Sequence, residues 1–237
     1  MGEMDLDADG YCVLPSILSL RQVRDVLEAW DAVCRTNAND PAILQDADGA
    51  ISGARNLLRM WPDVVELARQ PRLQDRLVEL LGPQVGVVRA LFFDKPPGRG
   101  WALPWHKDYN IAVREHGKIG PFNKPTKKAS VPHVEAPERL LREMLTVRIH
   151  LDDMTDDNGP LRIIPGSHRN DGLESRPPIS IHCRACDVLL MRPLLTHSSA
   201  NCDPACSRHR RIIHIECAPH PELSEGYHWH DFIRVVG

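Results

Sequence analysis

After Ser19 the apolar residues Leu20, Val23, Val26, Leu27, Trp30 and Val33 recur every three to four positions, the spacing of one helix face. Ser19 with Gln22 three positions later is a capping-box start. A second helix is predicted at 63–70, after Pro62, and a third at 73–81, ended by Gly82 and Pro83. Residues 1–83 therefore read as a mainly helical preface. From Val85 the period shortens. Runs at 85–93, 145–151, 162–164, 187–191 and 211–216 are apolar, rich in β-branched residues and separated by turn residues. This order predicts an α+β chain: an all-β core, sandwich or jelly roll, with flanking helices packed outside.

No repeat or low-complexity stretch divides the chain, so residues 1–237 read as a single domain, with the β core at 84–237. Within it, 109–142 carries Lys118, Lys124, Lys127, Lys128 and four prolines without clean periodicity. A stretch that long inside a compact domain is expected to be a lid or binding insert, the alternative being a solvated excursion.

Composition narrows the function. Lysine and arginine total 29 against 32 acids, a formal charge of −3, and no long basic block occurs, so no nucleic-acid partner is expected. No apolar run reaches membrane-spanning length. The acidic start of the chain lacks signal-peptide features, and seven cysteines, an odd number, read as reduced thiols in a cytoplasmic protein.

Twelve histidines are the unusual count. In an extended strand, residues i and i+2 share a face, so His-x-Asp or His-x-Glu aims an imidazole and a carboxylate at one ion. A second histidine then completes a face that leaves positions open on Fe(II). Five such pairs occur: His106/Asp108, His133/Glu135, His150/Asp152, His214/Glu216 and His220/Glu222. That exceeds what composition alone would supply, yet most must be bystanders. His106/Asp108 has the best context, after the 85–93 strand and a Pro/Gly turn. Downstream, His197 follows the 187–191 strand, and Arg210 comes thirteen residues later. A guanidinium is the fork that a dicarboxylate co-substrate needs at its far end. The rival set His150, Asp152 and His214 has only the distant Arg234.

These residues sit among further motifs: Asp9-Gly10-Tyr11, Trp105-His106-Lys107-Asp108, Leu151-Asp152-Asp153, Asn158-Gly159-Pro160-Leu161, Ile164-Pro165-Gly166-Ser167-His168, Asp187-Val188-Leu189-Leu190-Met191 and His197-Ser198-Ser199 with Asn201. Together they resemble the phytanoyl-CoA dioxygenase-like family of Fe(II)/2-oxoglutarate-dependent oxygenases over most of the chain. The resemblance implies a double-stranded β-helix (jelly roll, cupin-like), with iron on His106, Asp108 and His197. It also implies 2-oxoglutarate as co-substrate, its distal carboxylate on Arg210 helped by Ser199, and succinate and CO2 as co-products. Related halogenases carry a small residue at the carboxylate position, so Asp108 points to hydroxylation. A long segment after His197 leaves Arg211 as an alternative to Arg210. Strand alternation would send Arg211, Ile213 and Ile215 away from the pocket that Arg210 faces.

Thr146, Arg148 and His150 share one face of the 145–151 strand, and Lys95 ends the 85–93 strand. Thr146, Arg148 and Lys95 are expected to contact 2-oxoglutarate or substrate, structural pairing being the alternative. His168 is expected in a tight turn, and Trp101 and Trp105 flank the site. Cys183/Cys186 and Cys202/Cys206 stand at near-zinc spacing, so the rival function is a non-catalytic metal- or ligand-binding jelly roll with a four-cysteine zinc site. A cupin-like isomerase or hydrolase is a third reading. The expected partners are O2 and a small-molecule substrate, for which the lysines at 118–128 favour an anionic or polar character.

Overall fold

The computed structural model describes residues 5–99, 101–117, 120–169 and 176–237; Lys118 of the predicted insert lies outside them. Strands Tyr11–Leu14, Val188–Met191, Leu145–His150, Ile212–Ala218, Gly86–Phe93, Ile51–Ala54 and Ile43–Gln45 follow one another across a large sheet, and Ile233–Arg234 also pairs with Gly86–Phe93. A smaller sheet runs Ile179–Ser180, Leu161–Ile163, His197–Ser199, Leu103–His106. Alternation explains why both faces of the large sheet are buried. Leu145, Val147 and Ile149, with Val188, Leu190, Ile213 and Ile215, pack beneath the helices. Leu189 and Met191 face the smaller sheet and meet Leu161 and Ile163. Arg148 is paired in register with both Leu189 and His214 and so shares that inner face.

The capping box forms as expected: the Gln22 amide donates to Ser19 Oγ at 3.2 Å, and the Ser19 amide donates to Gln22 Oε1 at 2.9 Å. The helix it opens, Leu20–Thr36, buries Val23, Val26 and Trp30, and Trp30 stacks on Phe92 at 4.1 Å. Leu20, expected on that face, is exposed because it occupies the first helical position. The predicted third helix is Pro71–Leu81, ended by Gly82.

The preface carries the helices Leu6–Asp9, Leu20–Thr36, Leu57–Met60 and Pro71–Leu81, but it also adds strands to both sides of the large sheet, and the segment expected as helix 63–70 is a 3₁₀ turn at Pro62–Leu67. In the predicted insert, Asn110–Ala112, Asn123–Lys128 and Val131–Glu135 form a three-stranded sheet followed by the helix Glu138–Glu143. Ile111, Val113, Phe122 and Val134 give it an apolar core shared with Tyr227 and Trp229.

Candidate metal centre and co-substrate cavity

His106 ends its strand directly opposite His197 in the neighbouring antiparallel strand, a cross-strand pair. Their ring centroids lie 4.2 Å apart. His106 Nδ1 lies 2.8 Å from the Pro104 carbonyl, and His197 Nδ1 lies 2.8 Å from that of Leu195. A carbonyl only accepts, so each Nδ1 holds the proton and each Nε2 keeps its lone pair free. Asp108 follows the strand, its amide donating to the Pro193 carbonyl at 2.9 Å. Its carboxylate lies 3.8 Å from His106 Nε2 and 3.6 Å from His197 Nε2. All three ligand atoms fall within 4.8 Å of one another. Donors at about 2.1 Å from one ion can stand up to about 4.2 Å apart, a limit that both separations from Asp108 meet. Burial pushes the His197 imidazole down to about 4, so it is neutral, the form that ligates. Burial alone would raise the Asp108 carboxyl, but the imidazoles of His197, His214 and His106 and the Arg148 guanidinium outweigh it and hold it low.

These groups open on a cavity of about 310 Å³ between the sheets. Arg210 lines it from just before the strand Ile212–Ala218 that carries His214, and its backbone pairs with that of Lys95. Its guanidinium is buried, with Nε unpartnered and Nη1 facing only Met154 Sδ at 3.9 Å. Burial, then the like charge of Arg148, pushes it down to about 9. Among the described residues it makes no ion pair, a costly arrangement for a buried cation unless a ligand supplies the counter-charge. Arg211 points the opposite way, as alternation requires, and its guanidinium and backbone amide bond Asp152.

Ser199 and Arg148 also line the cavity; Thr146, buried with its hydroxyl unpartnered, does not. Lys95 is fully buried and does not itself line the cavity; its ammonium donates to Ser199 Oγ at 3.2 Å, the Gly159 carbonyl at 3.3 Å and the Ala200 carbonyl. Burial and Arg210 push it down to about 7. Trp101 lines the cavity, whereas Trp105 is exposed beneath Arg162. His150 is buried with neither ring nitrogen partnered, and among the described residues it joins no ligand set with Asp152 and His214. The four cysteines gather no zinc site among the described residues: Cys183 and Cys186 fall into different apolar clusters. Sequence reasoning missed Leu44, Ser52 and Arg55, which line the cavity from the unexpected strand pair of the preface or just after it.

The remaining motifs have structural reasons. Gly159, at φ +71°, lies so close to the Ala200 carbonyl that a Cβ would stand 2.5 Å from it. Gly10, at φ +84°, presses on His168, whose Nδ1 would be 2.5 Å from a Cβ. A family model described as phytanoyl-CoA dioxygenase (PhyH) matches residues 6–210. The chain belongs to the phytanoyl-CoA dioxygenase family. L-proline trans-4-hydroxylase of Streptomyces griseoviridis is 28% identical over 159 residues, 67% of this chain and 51% of that protein. Ectoine dioxygenase of Sphingopyxis alaskensis is 30% identical over 171 residues, 69% of this chain and 47% of that protein. The chain thus spans about half the length of these curated relatives. Among solved structures of the same fold, EctD from S. alaskensis with bound Fe superposes with TM-score 0.68 at 21% identity, covering 90% of this chain and 74% of that one. SnoK, the carbocyclase from nogalamycin biosynthesis, gives 0.65 at 18% identity, covering 93% and 86%. Both place this family member in the cupin-like jelly-roll fold.

Proposed function

We propose that this chain is an Fe(II)- and 2-oxoglutarate-dependent oxygenase that hydroxylates a small molecule, with O2 as oxidant and succinate and CO2 as co-products. One observation carries the reading: a two-histidine, one-carboxylate face and a buried arginine that makes no ion pair among the described residues open on the same cavity. The names of its relatives, a proline hydroxylase and ectoine dioxygenases, support the same chemistry.

In this reading His106 and His197 hold the metal through Nε2 and Asp108 through its carboxylate. Ferrous iron with 2-oxoglutarate supplies the oxygen-activating chemistry when bound. The chain supplies geometry. The Pro104 and Leu195 carbonyls fix the two rings, and the Pro193 carbonyl fixes the backbone beneath Asp108. Arg210 takes the far carboxylate of the co-substrate as a charge-assisted fork, with Ser199 as a second donor. Lys95 is a positioning residue that holds Ser199 and the Gly159–Ala200 contact. Phe93, Trp101, Leu103 and Leu161 line the cavity with apolar surface that limits water. A carboxylate at position 108 leaves no vacancy for halide, which favours hydroxylation. All seven cysteines are free thiols, which supports a reducing, cytoplasmic setting. Among the described residues no helix is long and apolar enough to cross a membrane.

The test is anaerobic addition of Fe(II) and 2-oxoglutarate to the purified protein. The expected result is a visible metal-to-ligand absorption band that needs both additions and disappears in His106→Ala. Absence of the band, with no 2-oxoglutarate consumed in air, overturns the reading.

A further inference from the structure

The charge on the cavity wall does not balance. Three guanidinium groups line it, from Arg55, Arg148 and Arg210, against one carboxylate, that of Asp108. Nearby acids are already engaged: Glu216 bonds Arg89 at 2.9 Å, and Asp152 bonds Arg211. A divalent metal and a dicarboxylate co-substrate cancel each other's charge, so loading the site with both leaves the cationic excess unchanged. Something else must offset it.

Arg55 is where that excess is available. It directly follows the strand Ile51–Ala54, whose residues Gly53 and Ala54 pair with Phe93 and Phe92. Its backbone amide donates to the Ala42 carbonyl at 2.8 Å, and the next residue, Asn56, donates through its side-chain amide to the Ala129 carbonyl at 3.0 Å. The backbone is thus held on both sides. The guanidinium is not: half-buried, it makes no hydrogen bond or ion pair among the described residues. Arg89 and Lys128 stand near enough to repel it. Arg148 differs, because it is buried beside Asp108 and lies 3.4 Å from His214 Nδ1. Arg210 differs too, since Ser199, its companion on the cavity wall, is held by Lys95. The same cavity wall also carries apolar and neutral residues, Leu44, Ser52, Trp101 and Leu103.

We propose that the substrate is a small organic acid whose anionic group pairs with Arg55 while its apolar part lies against Leu44, Trp101 and Leu103. This rests on the oxygenase reading and adds the substrate class. A planar, permanently charged fork recognises a carboxylate in two-pronged fashion, and the cationic surround rejects amines. The cavity volume restricts the acid to a compact one, because the co-substrate occupies the same space.

The test uses protein loaded anaerobically with 2-oxoglutarate and redox-inert Zn(II), and saturation-transfer NMR of butyrate, hexanoate and octanoate against their primary amides and amines. Metal and 2-oxoglutarate binding are measured first. If the wild type binds neither, the oxygenase reading itself falls, and this inference with it. With both bound, acids are expected to bind and amides to bind roughly tenfold or more weakly, the loss of one charge-assisted bond. Arg55→Gln is expected to abolish the preference for acid while keeping 2-oxoglutarate affinity and thermal midpoint, because its side chain has no partner to lose among the described residues. Arg55→Lys is expected to retain part of the preference. Equal binding of acids and amides, no binding of any acid, or an acid preference that survives in Arg55→Gln overturns the proposal. So does a loss of 2-oxoglutarate affinity in Arg55→Gln, which would place Arg55 with the co-substrate.

Discussion

Asp152 accepts two parallel bonds from Arg211, Nε to Oδ2 and Nη2 to Oδ1, both at 2.8 Å, and so takes that guanidinium out of reach of the cavity that Arg210 lines. Adjacent arginines thereby acquire opposite fates from a single fact, the two-residue alternation of a strand. Arg210→Gln is expected to weaken 2-oxoglutarate binding by roughly tenfold or more, with metal affinity retained. Arg211→Gln should leave co-substrate affinity intact and lower stability by about 1–3 kcal/mol, because Asp152 loses its partner. Calorimetric titration of 2-oxoglutarate into each variant, with urea unfolding alongside, separates them. The opposite pattern would transfer the co-substrate role to Arg211.

The metal face makes a different prediction. Any ion that binds the folded chain alone stabilises it by mass action, by about 2.7 kcal/mol at a hundredfold excess over Kd. Wild-type protein is expected to rise in thermal midpoint when Fe(II) or Zn(II) is added anaerobically, and to fall back with a chelator. Asp108→Ala and His197→Ala should show no such response and no succinate formation. A metal-induced shift that persists in either variant would remove that residue from the ligand set.

How much of this was legible in the sequence follows from how locally each feature is determined. The strand Leu145–His150 and its neighbours show as β-branched runs because both of their faces are buried. His106 and Asp108 share a two-residue spacing, and His197 and Arg210 stand in recognisable contexts. The strands Ile43–Gln45 and Ile51–Ala54 escape notice because they are short and carry Gln45, Ser52 and Gly53; they exist through pairing, Ile51–Ala54 with Gly86–Phe93 and Ile43–Gln45 with Ile51–Ala54. Arg55 is invisible for the same reason, since only that pairing brings it to the cavity. Lys95 illustrates the converse. Its position at a strand end is readable, but the carbonyls of Gly159 and Ala200 that occupy its ammonium come from remote segments.

Gly159 tests the motif around it. Its φ of +71° disfavours any side chain, and a Cβ would meet the Ala200 carbonyl at 2.5 Å and Lys95 Nζ at 2.8 Å. Gly159→Ala is expected to cost about 2–5 kcal/mol, combining left-handed strain with a backbone clash. Because Lys95 also holds Ser199, 2-oxoglutarate affinity should fall with it. Gly49, at φ +80° but with open space around it, is the control, and its alanine variant should lose only about 1–2 kcal/mol. Chemical denaturation of both variants decides; equal losses would mean that the Ala200 contact is not tight.

Acid stability should be governed by buried histidines that refuse protons. Burial and then Arg89 push His133 down to about 4, and burial with Arg148 and Arg210 holds His150 well below the usual imidazole value. In the unfolded chain both take a proton near pH 6.5. Between those values the unfolded state binds more protons than the folded one, so stability falls as pH falls. The contribution is complete above about pH 6.5 and is lost as pH drops towards 4, amounting to roughly 3 kcal/mol for His133. Urea midpoints of the metal-free protein measured from pH 7.5 to pH 4.5 should therefore decline. In His133→Gln, whose amide cannot titrate, the decline should be shallower, even though the variant starts less stable at neutral pH through the lost bond to the Val131 carbonyl. Parallel pH profiles for the two proteins would show that His133 takes up its proton equally in both states.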